Sequence, residues 1–321
     1  MALKIGLALG SGAARGWAHI GVIRALQKYD IEPSVVCGCS IGAVVGAAYA
    51  ASNLDKLENW VSSLSRLELA KYAELSFRSG LIDKERLQEG FVNNLCDADR
   101  NIESLDKAFG AVATDLHSGR EIWFTQGNTL TSVWSSIAMP GLFSPVLFED
   151  KWLVDGGLVN PVPVSMCRSL GADVVIAVDL NADIIGKHSR KSDKNDDSST
   201  VQKKLVDKIK GAIPAKEGED ESTLGSWRDT LFDYSAQLFP DLQKEQPPQA
   251  PGMFETIAGS VNIMQDRITR SRMAGDPPDI LLSPRLAHVG LLEFYRAEEI
   301  IKVGYDLTLQ KLDVIRQAIN A

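Results

Sequence analysis

Apolar residues fall along the first forty positions in short blocks with turn signals between them. KIGLAL is a continuous apolar run, a small-residue loop follows, a helical stretch reaches Lys28, and SVVC forms a second β-branched run. This is a β-α-β opening. Apolar runs without alternation suit strands covered on both faces, and hence a mainly parallel sheet lying between helices. FGAVATDL, EIWFT, the ADVVIAVDL stretch around Val175 and PDILLSP near Leu281 repeat the strand signal. The pattern between Ala43 and Leu105 is helical, and Glu293 to Ile319 reads as one long amphipathic closing helix. The expected class is α/β, a three-layer α/β/α sandwich.

The pattern breaks after Leu180. From 181 to 252, KHSRKSDKNDDSST, KEGEDEST and KEQPPQAPG are polar, charged or Pro-rich and cannot bury a core of their own. Two short amphipathic patches sit among them. Val201, Leu205, Ile209 and Ile213 recur every fourth residue beside Lys203, Lys204, Lys208 and Lys210, and Trp227, Leu231, Tyr234 and Leu238 follow the same spacing. Their apolar faces need a cover, which the parent fold, a sister subunit or, for the basic patch, a membrane surface would supply. The expected organisation is a core over 1–180, an insertion over 181–252, and a helix, strand and closing helix over 253–321 that pack on the same core.

Composition narrows the class without changing it. The 321 residues are 45% hydrophobic and 24% charged, which excludes global disorder, a collagen-like repeat and a coiled-coil rod. No stretch approaches the roughly 20 apolar residues that span a bilayer, since AVVGAAYAA ends at Ser52, Asn53 and Asp55. The N-terminus reads as a first strand and not a signal peptide, so a cytoplasmic protein is expected, with peripheral membrane contact left open. A net charge of −8 argues against general attraction to anionic membranes, and no nucleic-acid partner is expected. Cys37, Cys39, Cys96 and Cys167 form no CxxC pair and no zinc-spaced cluster, which leaves them as buried small hydrophobes and gives no metal site.

Two glycine-rich segments carry candidate chemistry. Gly38-Cys39-Ser40-Ile41-Gly42 is a G-x-S-x-G placed directly after a strand and directly before a helical run. A serine on such a turn projects its hydroxyl out of the sheet while the glycines relieve crowding, and a helix N-terminus beside it favours negative charge. A nucleophile and a plain tight turn are both open on this spacing. Gly10-Ser11-Gly12-Ala13-Ala14-Arg15-Gly16 lies between the first strand and its helix. As a dinucleotide fingerprint it fails, because Arg15 stands where a glycine is required and no acidic residue closes the second strand. It is not a P-loop either, since no G-K-[ST] follows. An oxyanion hole needs backbone N–H groups aimed at one point beside a nucleophile. Adjacent parallel strands bring their C-terminal loops to one edge, so this loop and Ser40 should converge.

A nucleophilic serine needs a base. His19, His117, His188 and His288 are each poorly placed for the Ser…Asp…His order of the α/β-hydrolases, and Ser40 follows the second strand where that fold needs several strands first. Asp155, in Leu153-Val154-Asp155-Gly156-Gly157 after a hairpin signal at Glu149-Asp150-Lys151, is the alternative. An ordinary aspartate is a weak base, so its site would have to be desolvated. Taken alone, Asp-Gly-Gly is most simply a turn.

In order along the chain, GSGAARGWAHIGV, GCSIG and WLVDGGLVNPVPVS resemble the patatin-like phospholipases. Asn160 and Pro161, and Ser136-Ile137-Ala138-Met139-Pro140 leading to FSPV, are similar to further blocks of that family. The resemblance runs from about Lys4 to Leu180, and the layout is similar to the bacterial RssA-like subgroup. It implies a Ser–Asp dyad in which Ser40 attacks an ester carbonyl and Asp155 takes its proton. The N–H groups from Ser11 to Ala13 (Ser11, Gly12, Ala13) would form the oxyanion hole, with Arg15 bracing the loop or meeting a phosphate, and Gly10, Gly16, Gly38, Gly42, Gly156 and Gly157 supporting loop and elbow. Ser11 and Ala13 stand where the family commonly has glycine, so a positive φ at either would strain the hole. The resemblance implies a lipid or other carboxylic ester as substrate and no metal or organic cofactor. A scaffolding protein that keeps the fold for binding, an acyltransferase using a second alcohol, and a homo-oligomer stay open.

Overall fold

The computed structural model describes residues 3–76, 80–82, 84–183 and 253–320. The chain forms two units, Met1–Lys187 with Asn262–Ala321, and His188–Val261. The two amphipathic patches and His188 lie outside the described residues.

In the first unit an eight-stranded sheet runs in the order Ile280–Leu282, Val174–Val178, Ile5–Leu9, Val35–Cys39, Ala108–Asp115, Lys151–Asp155 and Val146–Phe148, with Glu121–Phe124 paired on the Ala108–Asp115 strand. Its strands are β1 (Ile5–Leu9), β2 (Val35–Cys39), β5 (Ala108–Asp115), β6 (Glu121–Phe124), β7 (Val146–Phe148), β8 (Lys151–Asp155), β9 (Val174–Val178) and β10 (Ile280–Leu282). From β10 to β5 every pairing is parallel, whereas β6, β7 and β8 join antiparallel. The sheet is therefore mixed, with a parallel half and an antiparallel extension that the strand runs do not announce.

The helices are α1 (Ala18–Lys28), α2 (Ile41–Ala50), α3 (Leu54–Ser63), α4 (Arg66–Tyr72), α5 (Lys84–Asn94), α6 (Thr129–Ile137), α7 (Val164–Ser169), α8 (Met253–Gly275), α9 (Ala297–Gln310) and α10 (Leu312–Asn320). Alternate strand residues feed two cores. Leu7, Leu9, Val36, Phe109, Ala111 and Ile176 join a large cluster with α1, α2, α3 and α6, while Ala8, Val35, Cys37, Val112, Val175 and Ala177 join a smaller one with Met166 and Cys167 of α7. That is a three-layer α/β/α sandwich, and burial of both faces explains the unbroken apolar strand runs. All ten residues of α2 are buried, which fits its glycine and alanine content and its near-absence of a polar face.

Two expectations give way. The stretch from Ala43 to Leu105 holds three helices and a small hairpin, β3 (Ala73–Ser76) with β4 (Gly80–Ile82), in addition to α2. The closing segment is not one helix: a short 3-10 turn at Phe294–Arg296 precedes α9, and Lys311 separates α9 from α10. Near that break the Thr308 hydroxyl donates to the Gly304 carbonyl at 2.9 Å, a back-bond that bends helices.

The register of β5 brings two loops together. Val112 of β5 pairs with Cys39 of β2 and with Trp123 of β6, and Ala113 pairs with Asp155 of β8 and with Ile122 of β6. Since β6 occupies one edge of β5, β2 and β8 must share the other, meeting end to end with their C-terminal ends facing. Ser40 and Asp155 are the residues at that junction.

Candidate active site

Ser40 follows β2 and precedes α2 with φ 55° and ψ −124°, a backbone conformation that only surrounding structure can hold. A Cβ on Gly42 would lie 2.1 Å from the Leu9 carbonyl oxygen and one on Gly38 2.4 Å from the Ala43 nitrogen, so both flanking positions need glycine for close backbone approach. The Ser40 N–H donates to Ser136 Oγ at 2.8 Å, and the Asp155 N–H donates to the Ala138 carbonyl at 3.0 Å. The end of α6 thus holds the backbone of both residues.

Ser40 Oγ donates to Asp155 Oδ2 at 2.6 Å, and the Gly157 N–H donates to Asp155 Oδ1 at 2.7 Å. Asp155 is 1% exposed, and burial pushes its pKa up to about 6, partly opposed by those two hydrogen bonds. This is the desolvated carboxylate that a base of this kind requires. Gly156 lies under the Val112 carbonyl, where a Cβ would come within 2.2 Å.

The glycine loop arrives beside this pair, and Ala13, Ser40 and Ile41 line the same pocket. Ala13 has φ 50°, so the alanine takes the left-handed conformation that costs an L-residue roughly 1–2 kcal/mol. Ser11 departs from its expected role, because its N–H already donates to the Pro161 carbonyl at 2.9 Å. The candidate oxyanion donors are therefore the N–H groups of Gly12 and Ala13. Gly10 packs against the Val178 carbonyl and Gly16 against the Ile41 side chain, with no room for a Cβ at either.

Arg15 is buried and donates through Nε to the Gly12 carbonyl at 3.1 Å and through Nη2 to Asn262 Oδ1 at 3.3 Å. Burial lowers its pKa to about 10, with Asp183 and Asp179 acting in the opposite direction. Of the two roles considered for it, bracing the loop is the one these contacts describe. His19 Nε2 donates to the Gly10 carbonyl at 2.8 Å, and burial drives its pKa down to about 4, so it is a neutral loop support. His117 sits in the turn after β5, and His288 meets Glu299 at the surface. Among the described residues no histidine bonds to Ser40.

The pocket above Ser40 takes in about 780 Å³ of empty space, open solvent at its mouth included. Trp17, Val44, Trp60, Leu64, Phe91, Ile137 and Phe143 contribute to a wall that is aliphatic, aromatic and thioether apart from Ser40 itself. Neither Ser136 nor the buried Gln265 of α8, whose Oε1 accepts from Ser11 Oγ at 2.9 Å, follows from the strand and turn pattern. Ser136 lies in a block of the resemblance, but Gln265 has no local signal.

An α/β sheet thus sets a serine on a strand-to-helix turn against a buried aspartate, with the serine lining an apolar pocket. Residues 7–168 match the family described as patatin-like phospholipase, and the chain belongs to that family. NTE family proteins of Mycobacterium bovis and Mycobacterium tuberculosis are each 31% identical over 331 residues, spanning 97% of this chain and 91% of the relative. A lysophospholipase NTE1 of Pyricularia oryzae is 28% identical across 98% of this chain, which corresponds to 19% of that protein. VipD of Legionella pneumophila, a solved structure, covers 97% of this chain and 67% of its own at a TM-score of 0.46 and 13% identity.

Proposed function

We propose that this chain is a lipid ester hydrolase working through Ser40 and Asp155 by way of an acyl-enzyme. The 2.6 Å bond between Ser40 Oγ and the buried Asp155 carboxylate, at the floor of an apolar pocket, carries this reading. Family membership and the name of the fungal relatives support a lipid ester as substrate, and a lysophospholipid is the first to test.

Asp155 Oδ2 takes the Ser40 proton as Oγ bonds to the ester carbonyl carbon, and the carbonyl electron pair moves onto oxygen. The N–H groups of Gly12 and Ala13 face that oxyanion, and the N-terminus of α2 adds its positive end. Collapse breaks the bond to the alcohol, which leaves with the proton from Asp155. A water molecule then gives its proton to Asp155 and attacks the acyl carbon, a second oxyanion forms, and its collapse releases the carboxylic acid while Asp155 reprotonates Ser40. The acyl chain lies along the wall formed by Trp60, Leu64 and Phe91.

Hydrolysis of a short p-nitrophenyl ester and of lysophosphatidylcholine, comparing wild type with Ser40→Ala and Asp155→Asn, tests the proposal. Each variant is expected to lose turnover by about a thousandfold or more while staying folded. Substantial activity in either would remove the dyad, and a fluorophosphonate probe that labels another serine would relocate the site.

A further inference from the structure

The peptide joining Ser11 to Gly12 carries the first candidate oxyanion donor, and peptide planarity makes its two ends point in opposite directions. Whatever holds the Ser11 carbonyl therefore aims the Gly12 N–H. The Ser11 carbonyl accepts from Asn181 Nδ2 at 3.4 Å, and that same amide nitrogen donates to Gln265 Oε1 at 3.0 Å. The Ser11 hydroxyl also donates to Gln265 Oε1, at 2.9 Å. One side-chain oxygen thus collects two donors, and both belong to the machinery that holds this peptide.

The other end of the same amide lies against the second catalytic segment. A Cβ at Gly157 would come within 2.3 Å of Gln265 Nε2 and 3.0 Å of Asp155 Oδ1, so the amide nitrogen occupies the space that the missing side chain leaves free. Gly157 is the residue whose N–H holds Asp155 Oδ1. Gln265 is 2% exposed, Ser11 2% and Asn181 1%, so water does not compete for these bonds. Gln265 also lies beyond the residues 7–168 that the family description matches.

We infer that Gln265 is a positioning residue for the reaction proposed above, a single amide that aims the Gly12 N–H at the oxyanion and seats the turn carrying Asp155. The inference rests on the esterase reading. Gln265 touches no reacting atom and acts through Ser11, Asn181 and Gly157. It lies apart from the acyl pocket, so its loss lowers the rate of the chemical step and leaves substrate binding in place.

Gln265→Met keeps the volume and removes both polar ends. In purified full-length protein, kcat for the p-nitrophenyl ester is expected to fall about tenfold, KM to change less than twofold, and fluorophosphonate labelling of Ser40 to slow in parallel. Ser11→Ala is expected to lower kcat less, and the Ser11→Ala, Gln265→Met pair to lose no more than Gln265→Met alone, because both changes break the same link. Thermal unfolding of each variant separates this from loss of folded protein. A kcat for Gln265→Met within twofold of wild type, or effects of Ser11 and Gln265 that simply multiply, would overturn the inference while leaving the dyad intact. A wild type with no Ser40-dependent turnover or labelling would overturn the esterase reading, and the inference with it.

Discussion

At the scale of the residue, Asp155 ties activity and stability to pH. Its carboxylate must be ionised to accept the Ser40 proton, and burial lifts its pKa from 3.8 to about 6. The expected kcat/KM therefore rises through about pH 6 and levels off above it; a pH–rate profile with its acid limb near pH 4 would contradict this. The stability consequence has the opposite sense. Between pH 4 and 6 the folded state holds a proton that the unfolded state has released, so folding loses stability as pH rises, and above pH 6 the buried charge costs about 2–3 kcal/mol. Asp155→Asn removes that charge while keeping a donor for Ser40 and an acceptor for Gly157. Its Tm should exceed that of wild type at pH 8 and converge with it below pH 4, measured by calorimetry. Ser40 stands out in the sequence as a glycine-flanked turn between strand and helix, whereas Asp155 stands out only through the family resemblance, since Asp-Gly-Gly taken alone reads as a turn. Gln265 does not stand out, since a glutamine on a helix acquires its meaning only from Ser11, Asn181 and Gly157, which come from three other parts of the chain. Ser11 is legible as part of the loop, but nothing local shows that its N–H is taken by the Pro161 carbonyl, 150 positions onward.

Among the elements, α1 and α9 approach more closely than side chains allow. A Cβ at Gly304 would sit 2.0 Å from the Ala18 carbonyl oxygen, and one at Gly21 would sit 1.9 Å from that of Ile301. Gly304→Ala should therefore force the two helices apart and destabilise the fold by about 1–3 kcal/mol, read as a lowered Tm. Because α1 follows the glycine loop and carries His19 against Gly10, activity should fall along with it. The strands β1, β2, β5 and β9 could be read from the sequence, since burial on both faces leaves runs that a polar surface cannot interrupt, and β6 and β10 stand out by their apolar content although Trp123 and Leu281 are exposed. The β3–β4 hairpin could not, because strands of four and three residues are too short for a period to stand out from the helices around them. The break at Lys311 escaped for a related reason: the apolar spacing continues through it, and only a back-bond and a cap end the helix.

At the scale of the whole molecule, one set of pocket residues comes from a stretch of chain that carries neither Ser40 nor Asp155. Trp60, Leu64, Leu69, Leu87 and Phe91, which form one side of the pocket, all lie between Ser40 and β5. Leu64→Trp should narrow that space, reducing hydrolysis of long-chain esters about tenfold or more while short esters change less than threefold; equal losses on both would place the acyl chain elsewhere. The mixed character of the sheet is hidden because β6, β7 and β8 carry apolar residues at exposed positions too, Trp123, Leu147 and Trp152 among them, so no alternation marks them off from the parallel strands. The junction it creates gives the molecule a ruler. The spacing of Ser40 and Asp155 is measured along two consecutive residues of β5, Val112 paired with Cys39 and Ala113 paired with Asp155. Chain can be lengthened, shortened or exchanged between the elbow and β5 without moving that mark. Exchanging chain between α3 and α5 is therefore expected to change what the pocket admits while leaving the distance between Ser40 Oγ and Asp155 Oδ2 in place.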